Sequence, residues 1–297
     1  MKKYLLLTLK IIAFLFGSQI LMALLILPFF IFKPDLFDSS DSIIPMFTQE
    51  VLLLLTVSLL SYLILHYWEK LPLSDLGISA RNRGKDILYG ALTAATIYCI
   101  SFIVLLIPGW ISIEKIAFHP ADLLFSFLLM ILVGLAEEIM SRGFILGRML
   151  NAGVHPWLAL LLSSLIFSLM HIANDGFSFY AFLNLVLAGI LLGVAYLHTR
   201  NLWFSISLHT FWNWIQGQLG FAVSGQSFGE PLVKIQLSDN TLMNGGKFGF
   251  ESSLTCTILM IVFIFVIARY ISPKLKIQET KIIINNETTT TSSDYTC

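Results

Sequence analysis

Charge is what this sequence has least of. Of its 297 residues only 12% are Asp, Glu, Lys or Arg and 57% are hydrophobic, against about 25% charged in soluble domains. A water-facing exterior cannot be built from so few charges, so an ordinary soluble enzyme is excluded and lipid is the expected solvent for most of the surface. Neither sign is in excess, since 18 Lys and Arg balance 18 Asp and Glu. A nucleic-acid partner and an acidic disordered chain are therefore not expected. Cysteine is rare: Cys99, Cys256 and Cys297 lie far apart, without metal-ligand or paired spacing, and read as packing residues or free thiols. The ten-residue alternation of a β-barrel is missing, as are internal repeats and a stretch long and polar enough for a soluble domain.

What is present is a succession of long apolar runs. A membrane-spanning helix needs roughly 20 apolar residues. Eight candidates follow, near Ile11–Phe32, Glu50–Trp68, Ile87–Pro108, Ala121–Ala136, Trp157–His171, Phe179–Leu197, Leu202–Val223 and Leu254–Ile271. The fold class expected is all-α, a polytopic membrane helix bundle. Lys2 and Lys3 open on an apolar stretch that runs on to Phe32, better read as a first span than as a secretory signal. With a cytoplasmic N-terminus, the inside segments hold Lys2, Lys3, Lys10, Lys70, Arg81, Arg83, Lys85, Arg142, Arg148, Arg200, Arg269, Lys274, Lys276 and Lys281, leaving Lys33, Lys115, Lys234 and Lys247 outside. That asymmetry fits an even number of spans with both termini cytoplasmic, in a cell membrane. Residues 1–120 hold the first three helices, 121–223 a polar-bearing core, 224–272 an extracytoplasmic loop and the last helix, and 273–297 a polar tail. The Thr288–Ser293 run of the tail reads as disordered, and its last residue, Cys297, is not part of a prenylation box. In the loop, the glycines of Gly245–Glu251 suggest positive φ or close packing against helix ends, a structural role.

An ionisable side chain within an apolar span costs about 2.5–3.5 kcal/mol on insertion scales, so each calls for a partner or a task. Three groups stand out. In Glu137-Glu138-Ile139-Met140-Ser141-Arg142, Glu138 and Arg142 are four apart, acid first, and suit an ion pair on one helix face. Glu137 is turned about 100° from Glu138; it marks a water interface or serves as a general base. In Phe167-Ser168-Leu169-Met170-His171, Phe167 lies one turn before His171 and can wall its ring. Ser205, His209 and Asn213 form one polar stripe on an otherwise apolar helix; such a stripe faces the bundle interior, as helix glue or as the lining of a wet cavity. Together these groups offer a carboxylate and a histidine to deprotonate water, with a second histidine and an amide to donate to an oxyanion, a set suited to peptide-bond hydrolysis. Depth is the difficulty: Glu137 falls near one end of its span and His171 near the opposite end.

Glu137-Glu138-x-x-x-Arg142, Phe167-x-x-x-His171 and His209-x-x-x-Asn213, in this order on successive membrane helices, resemble the three motifs of the CAAX-processing and bacteriocin-processing (CPBP) family of intramembrane endopeptidases, which includes the type II CAAX prenyl endopeptidases. The resemblance covers roughly Ala121–Val223, and Gly245–Glu251 is similar to a loop common in bacterial members. It implies that Glu137 and His171 activate water, that His209 and Asn213 form the oxyanion site, that Glu138 and Arg142 buttress it, and that the substrate is a membrane-associated protein or peptide, prenylated or not. The family is commonly labelled metalloprotease, which makes Zn²⁺ an alternative with His171 and His209 as candidate ligands. The sequence lacks HExxH and sets those histidines on different helices, so the metal-independent reading is preferred. The competing class is a transporter or bacteriocin self-immunity protein that uses the same polar residues to relay protons or bind a peptide.

Overall fold

The computed structural model describes residues 2–32 and 43–275; Lys33, Lys276, Lys281, the Thr288–Ser293 run and Cys297 lie outside the described residues. The chain forms a membrane helix bundle. Helices α1 (Lys2–Phe32), α2 (Ile43–Leu63, prolonged by a π-helical turn to Glu69) and α3 (Gly84–Leu106) are followed by α4 (Pro120–Glu138). A π-helical stretch, Ile139–Leu146, carries α4 on into α5 (Gly147–Asn151); then come α6 (Pro156–Leu169), α7 (Phe179–Thr199), α8 (Trp203–Gln218), a single turn α9 (Thr241–Asn244) and α10 (Leu254–Val266). Starts are marked where sequence chemistry dictates. Proline opens α4 and α6, and the hydroxyls of Ser178 and Ser253 accept from Ala181 N (3.1 Å) and Cys256 N (2.9 Å) to cap α7 and α10.

Among the described residues six helical runs are long and apolar enough to cross a membrane: Lys2–Phe32, Ile44–Glu69, Gly84–Leu106, Pro120–Asn151, Phe179–Thr199 and Leu254–Leu275. The other two expected spans are the shorter helices α6, of 14 residues, and α8, of 16, which run within the bundle. Outward faces carry exposed Phe16, Leu24, Ile107, Phe179 and Phe265, the surface of a protein dissolved in lipid rather than water. Cys99 and Cys256 are free thiols, as their spacing implied.

The two short helices are short for different reasons. In α8 every third or fourth residue is polar, and protein surrounds the helix: Ser207 Oγ donates to Ile87 O on α3 (2.7 Å), Thr210 Oγ1 to Met130 O on α4 (3.3 Å), and Ser205 Oγ to Leu192 O on α7 (2.6 Å). A Cβ on Gly90 would stand 2.7 Å from Phe204 O, and one on Gly134 2.7 Å from Thr210 Oγ1, so α3 and α4 lie close against α8, the small-residue packing that lets membrane helices meet. Helix α6, by contrast, stops at mid-depth. It starts at the end of the bundle where α5 finishes and returns about 21 Å at 1.5 Å per residue, the same distance that separates Asn151 from Glu137. Glu137 is therefore not at the end of its helix but near the middle of a 32-residue run, and the conflict of depths disappears.

The ends of the bundle differ in chemistry. At one, Lys10 Nζ pairs with Glu69 Oε1 (2.7 Å), Arg148 pairs with both Glu69 and Asp75, Asn151 Nδ2 donates to Asp75 Oδ2 (3.0 Å), and Arg200 donates to Asn151. At the other, β1 (Ile111–Ile116) and β2 (Val233–Leu237) pair antiparallel, Ile111 opposite Leu237, with an irregularity between Ile113 and Lys115. These strands were not expected, although Ile-Ser-Ile and Val-Lys-Ile-Gln-Leu alternate with the period of a half-exposed strand.

Candidate active site

The site lies where α4, α7, α8 and the turn after α6 meet, under the polypeptide that follows α8. A cavity of about 110 Å³ is lined there by Glu137, Phe167, His171, His209, Trp212 and Asn213, together with Glu50 of α2 and Glu251. At roughly 10–15 Å³ per water centre it accommodates several waters. Its mouth is flanked by the exposed Gln49 and Gln226.

The three polar groups read from the sequence converge. Glu137 Oε2 stands 4.0 Å from His171 Nε2 and 3.8 Å from His209 Nε2, too far for direct hydrogen bonds and near enough for one water to touch all three. It is buried and has no hydrogen-bond partner among the described residues. Each imidazole is held by its other nitrogen. His171 Nδ1–H donates to Phe167 O (2.9 Å), one helical turn back, and the Phe167 ring packs against it with centroids 4.9 Å apart. His209 Nδ1–H donates to Glu138 Oε1 (2.8 Å). Both rings therefore present Nε2 to Glu137.

Glu138 and Arg142 form the ion pair their spacing implied, Nη1 to Oε1 at 2.6 Å, with both side chains almost fully buried. The π-helical stretch after Glu138, a distortion frequent at functional sites, carries Arg142 under the site. There its Nη2 donates to Gly189 O of α7 (3.1 Å) and the guanidinium lies 4.5 Å from the Phe167 ring centroid. The polar stripe of α8 divides. Ser205 is glue to α7, whereas Asn213, buried on the cavity wall, keeps its amide free of hydrogen bonds among the described residues.

Sequence reasoning missed three contributors. Glu50 had been placed at the boundary of its span, but α2 begins seven residues earlier and brings it to the cavity. Trp212 passed as an apolar residue next to Asn213. Glu251 belongs to the loop read as structural: its Oε1 accepts from Trp212 Nε1 (3.2 Å), and its Oε2 from Ser224 N (2.8 Å) and Ser224 Oγ (2.9 Å). The loop is structural and forms the roof as well. A Cβ on Gly249, at φ 97°, would stand 1.8 Å from Ala222 O, and one on Gly245, at φ 87°, 1.9 Å from Gly249 O, so both glycines have the positive φ and close packing the sequence suggested.

Zn²⁺ takes three or four ligands at about 2.0–2.2 Å. Among the described residues no three His, Cys, Asp or Glu side chains are grouped so as to hold a metal ion, and the Asn213 amide beside the imidazoles is a poor ligand.

Fold and site together define a polytopic membrane protein with a buried acid and imidazole centre. Residues 119–215, about a third of the chain and the part that contains all three motifs, match the family model described as Rce1-like, type II CAAX prenyl endopeptidase Rce1-like. That segment is similar to the type II CAAX prenyl endopeptidases in the part of the chain that carries the three motifs. Comparison with curated proteins and with solved structures gives no match.

Proposed function

We propose that the chain is an intramembrane endopeptidase that hydrolyses a peptide bond of a membrane-associated protein or peptide without a resident metal. The observation that carries this is the placing of Glu137 Oε2 within 4.0 Å of two imidazole Nε2 atoms in a cavity of water-holding size. A water there meets three acceptors when both rings are neutral, yet it has only two protons to give. A proton on one of the three satisfies the set, and His209, with the Glu138 carboxylate at its back, is the ring whose positive charge is matched. Glu137 with His171 orients the water and removes its proton as it attacks the carbonyl carbon. His209 Nε2–H and the Asn213 amide donate to the oxyanion, and the proton held on Glu137 passes to the leaving amine as the C–N bond breaks. Glu138 and Arg142 position His209 rather than touch the substrate.

Cleavage of membrane peptides by the purified protein in lipid, read by mass spectrometry of the new termini, tests this. Glu137→Gln and His171→Ala should each lower turnover by about 10² to 10⁴ with the protein still folded. Full activity in purified Glu137→Gln would remove Glu137 as the base, and absence of cleavage by the wild type would return the site to binding or proton relay.

A further inference from the structure

Among the described residues three carboxylates face the cavity, and they are not equivalent. Glu137 stands between the imidazoles. Glu251 is occupied by Trp212 and Ser224. Glu50, from α2, has a buried Oε2 without a hydrogen-bond partner among the described residues, although it sits on an apolar helix where an ionisable group costs enough to require a partner. Among the described residues no Lys or Arg lines the cavity, and Arg142 behind it is committed to Glu138, Gly189 O and the Phe167 ring. Beyond the imidazoles, Asn213 and the neutral polar Gln49, Ser224 and Gln226, the walls are apolar, with Met46, Met130 and Val133 among them.

We propose that Glu50 is a specificity residue that receives a cationic side chain, Lys or Arg, of the substrate beside the scissile bond. The proposal deepens the peptidase reading and rests on it for the words scissile bond; the cation preference itself is a property of binding. A carboxylate desolvated in the bundle gains most from a partner that arrives with its own charge. Gln49, next to Glu50, is at the cavity mouth, so a side chain entering there passes Glu50. The same acidic lining, without Lys or Arg among the described residues, disfavours a substrate that brings a carboxylate to this point. Basic peptides cut at internal positions therefore fit this cavity better than segments cut next to a free C-terminal carboxylate.

Binding is measured without turnover, by fluorescence anisotropy of labelled peptides on full-length Glu137→Gln protein in lipid nanodiscs. The peptides form a matched set: an apolar sequence with Lys, norleucine or Glu at one scanned position. At the position that meets Glu50, Lys should bind roughly 10- to 100-fold tighter than norleucine. Adding Glu50→Gln should erase the difference, and Glu50→Lys should transfer the preference to the Glu peptide. Glu50→Asp, which keeps the charge, should keep the sign and guards against misreading a folding defect. Equal binding of the Lys and norleucine peptides at every position, or a Lys preference that survives Glu50→Gln, overturns the assignment, as does failure of all three peptides to bind. A wild-type protein that shows the cation preference but cleaves nothing would instead sink the peptidase reading and leave Glu50 as a cation site.

Discussion

His209 links two consecutive carboxylates of α4: its Nδ1 edge lies 2.8 Å from Glu138 Oε1 and its Nε2 edge 3.8 Å from Glu137 Oε2. Glu138 is the shared element, because the same oxygen receives Arg142 Nη1 at 2.6 Å. The ion pair and the orientation of the imidazole are therefore coupled through Glu138, and substitutions at Glu138 and at Arg142 are read by different measurements. Glu138→Gln keeps an acceptor for Nδ1–H but removes the charge that matches a protonated ring, so kcat should fall by about 10- to 100-fold with KM little changed. Arg142→Ala leaves a buried carboxylate without its guanidinium and should cost about 3–5 kcal/mol, read as a lowered melting temperature in detergent.

Asn213 is expected to act late, when negative charge develops on the carbonyl oxygen. Asn213→Ala should lower turnover by about 10² to 10³, with peptide affinity nearly unchanged in the binding assay. Loss of affinity equal to the loss of turnover would make Asn213 a ground-state binding residue instead.

The metal question has a direct answer in elemental analysis. The purified wild type is expected to carry no stoichiometric zinc, and single-turnover rates with and without chelator should agree. Stoichiometric zinc that leaves in His171→Ala, together with chelator-sensitive activity, would restore a metalloprotease mechanism with His171 and His209 as ligands.

Topology follows from the 14 to 4 division of Lys and Arg. Reporters fused after Lys281 and inserted near Gly229 should mark opposite faces of the membrane, the former cytoplasmic. Signals from one face would reject the arrangement of helices that run alternately up and down.

The roof depends on Gly249. Gly249→Ala places a methyl against Ala222 O in a backbone conformation that alanine rarely adopts, a strain of about 1–3 kcal/mol. Faster proteolysis of the 224–253 segment and a drop in activity are expected, with the helices still inserted.

Much of this was legible in the sequence because membrane chemistry is strict. The bundle, the Glu138–Arg142 pair, the ring of Phe167 beside His171 and the inward stripe of α8 all follow from apolar run length, helical spacing and the cost of burying charge. Depth was not legible. Hydropathy stops at the first charges, so the fourth run seemed to end at Ala136, although the helix continues through Glu137, Glu138 and Arg142 because tertiary partners receive them. Glu50 was hidden by the same rule from the opposite side, as it looked like the polar edge of a span. Glu251 was hidden by distance, since nothing local reveals that a loop residue will meet Trp212, 39 positions away. The strand pair was overlooked although its alternation was there to be read.

The dispersal of the site has a consequence for the life of the chain. Glu137 and Glu138 arrive on α4, His171 after α6, Arg142's carbonyl partner on α7, His209 and Asn213 on α8, and Glu251 just before α10. A ribosome delivering these segments in order releases a polypeptide in which the proposed centre is incomplete until α8 has docked between α3 and α4 and the roof has closed. Nascent chains are thus latent by construction. On the proposed function, neighbouring membrane proteins are spared during biogenesis, and a chain truncated before Trp203 should insert yet stay inert.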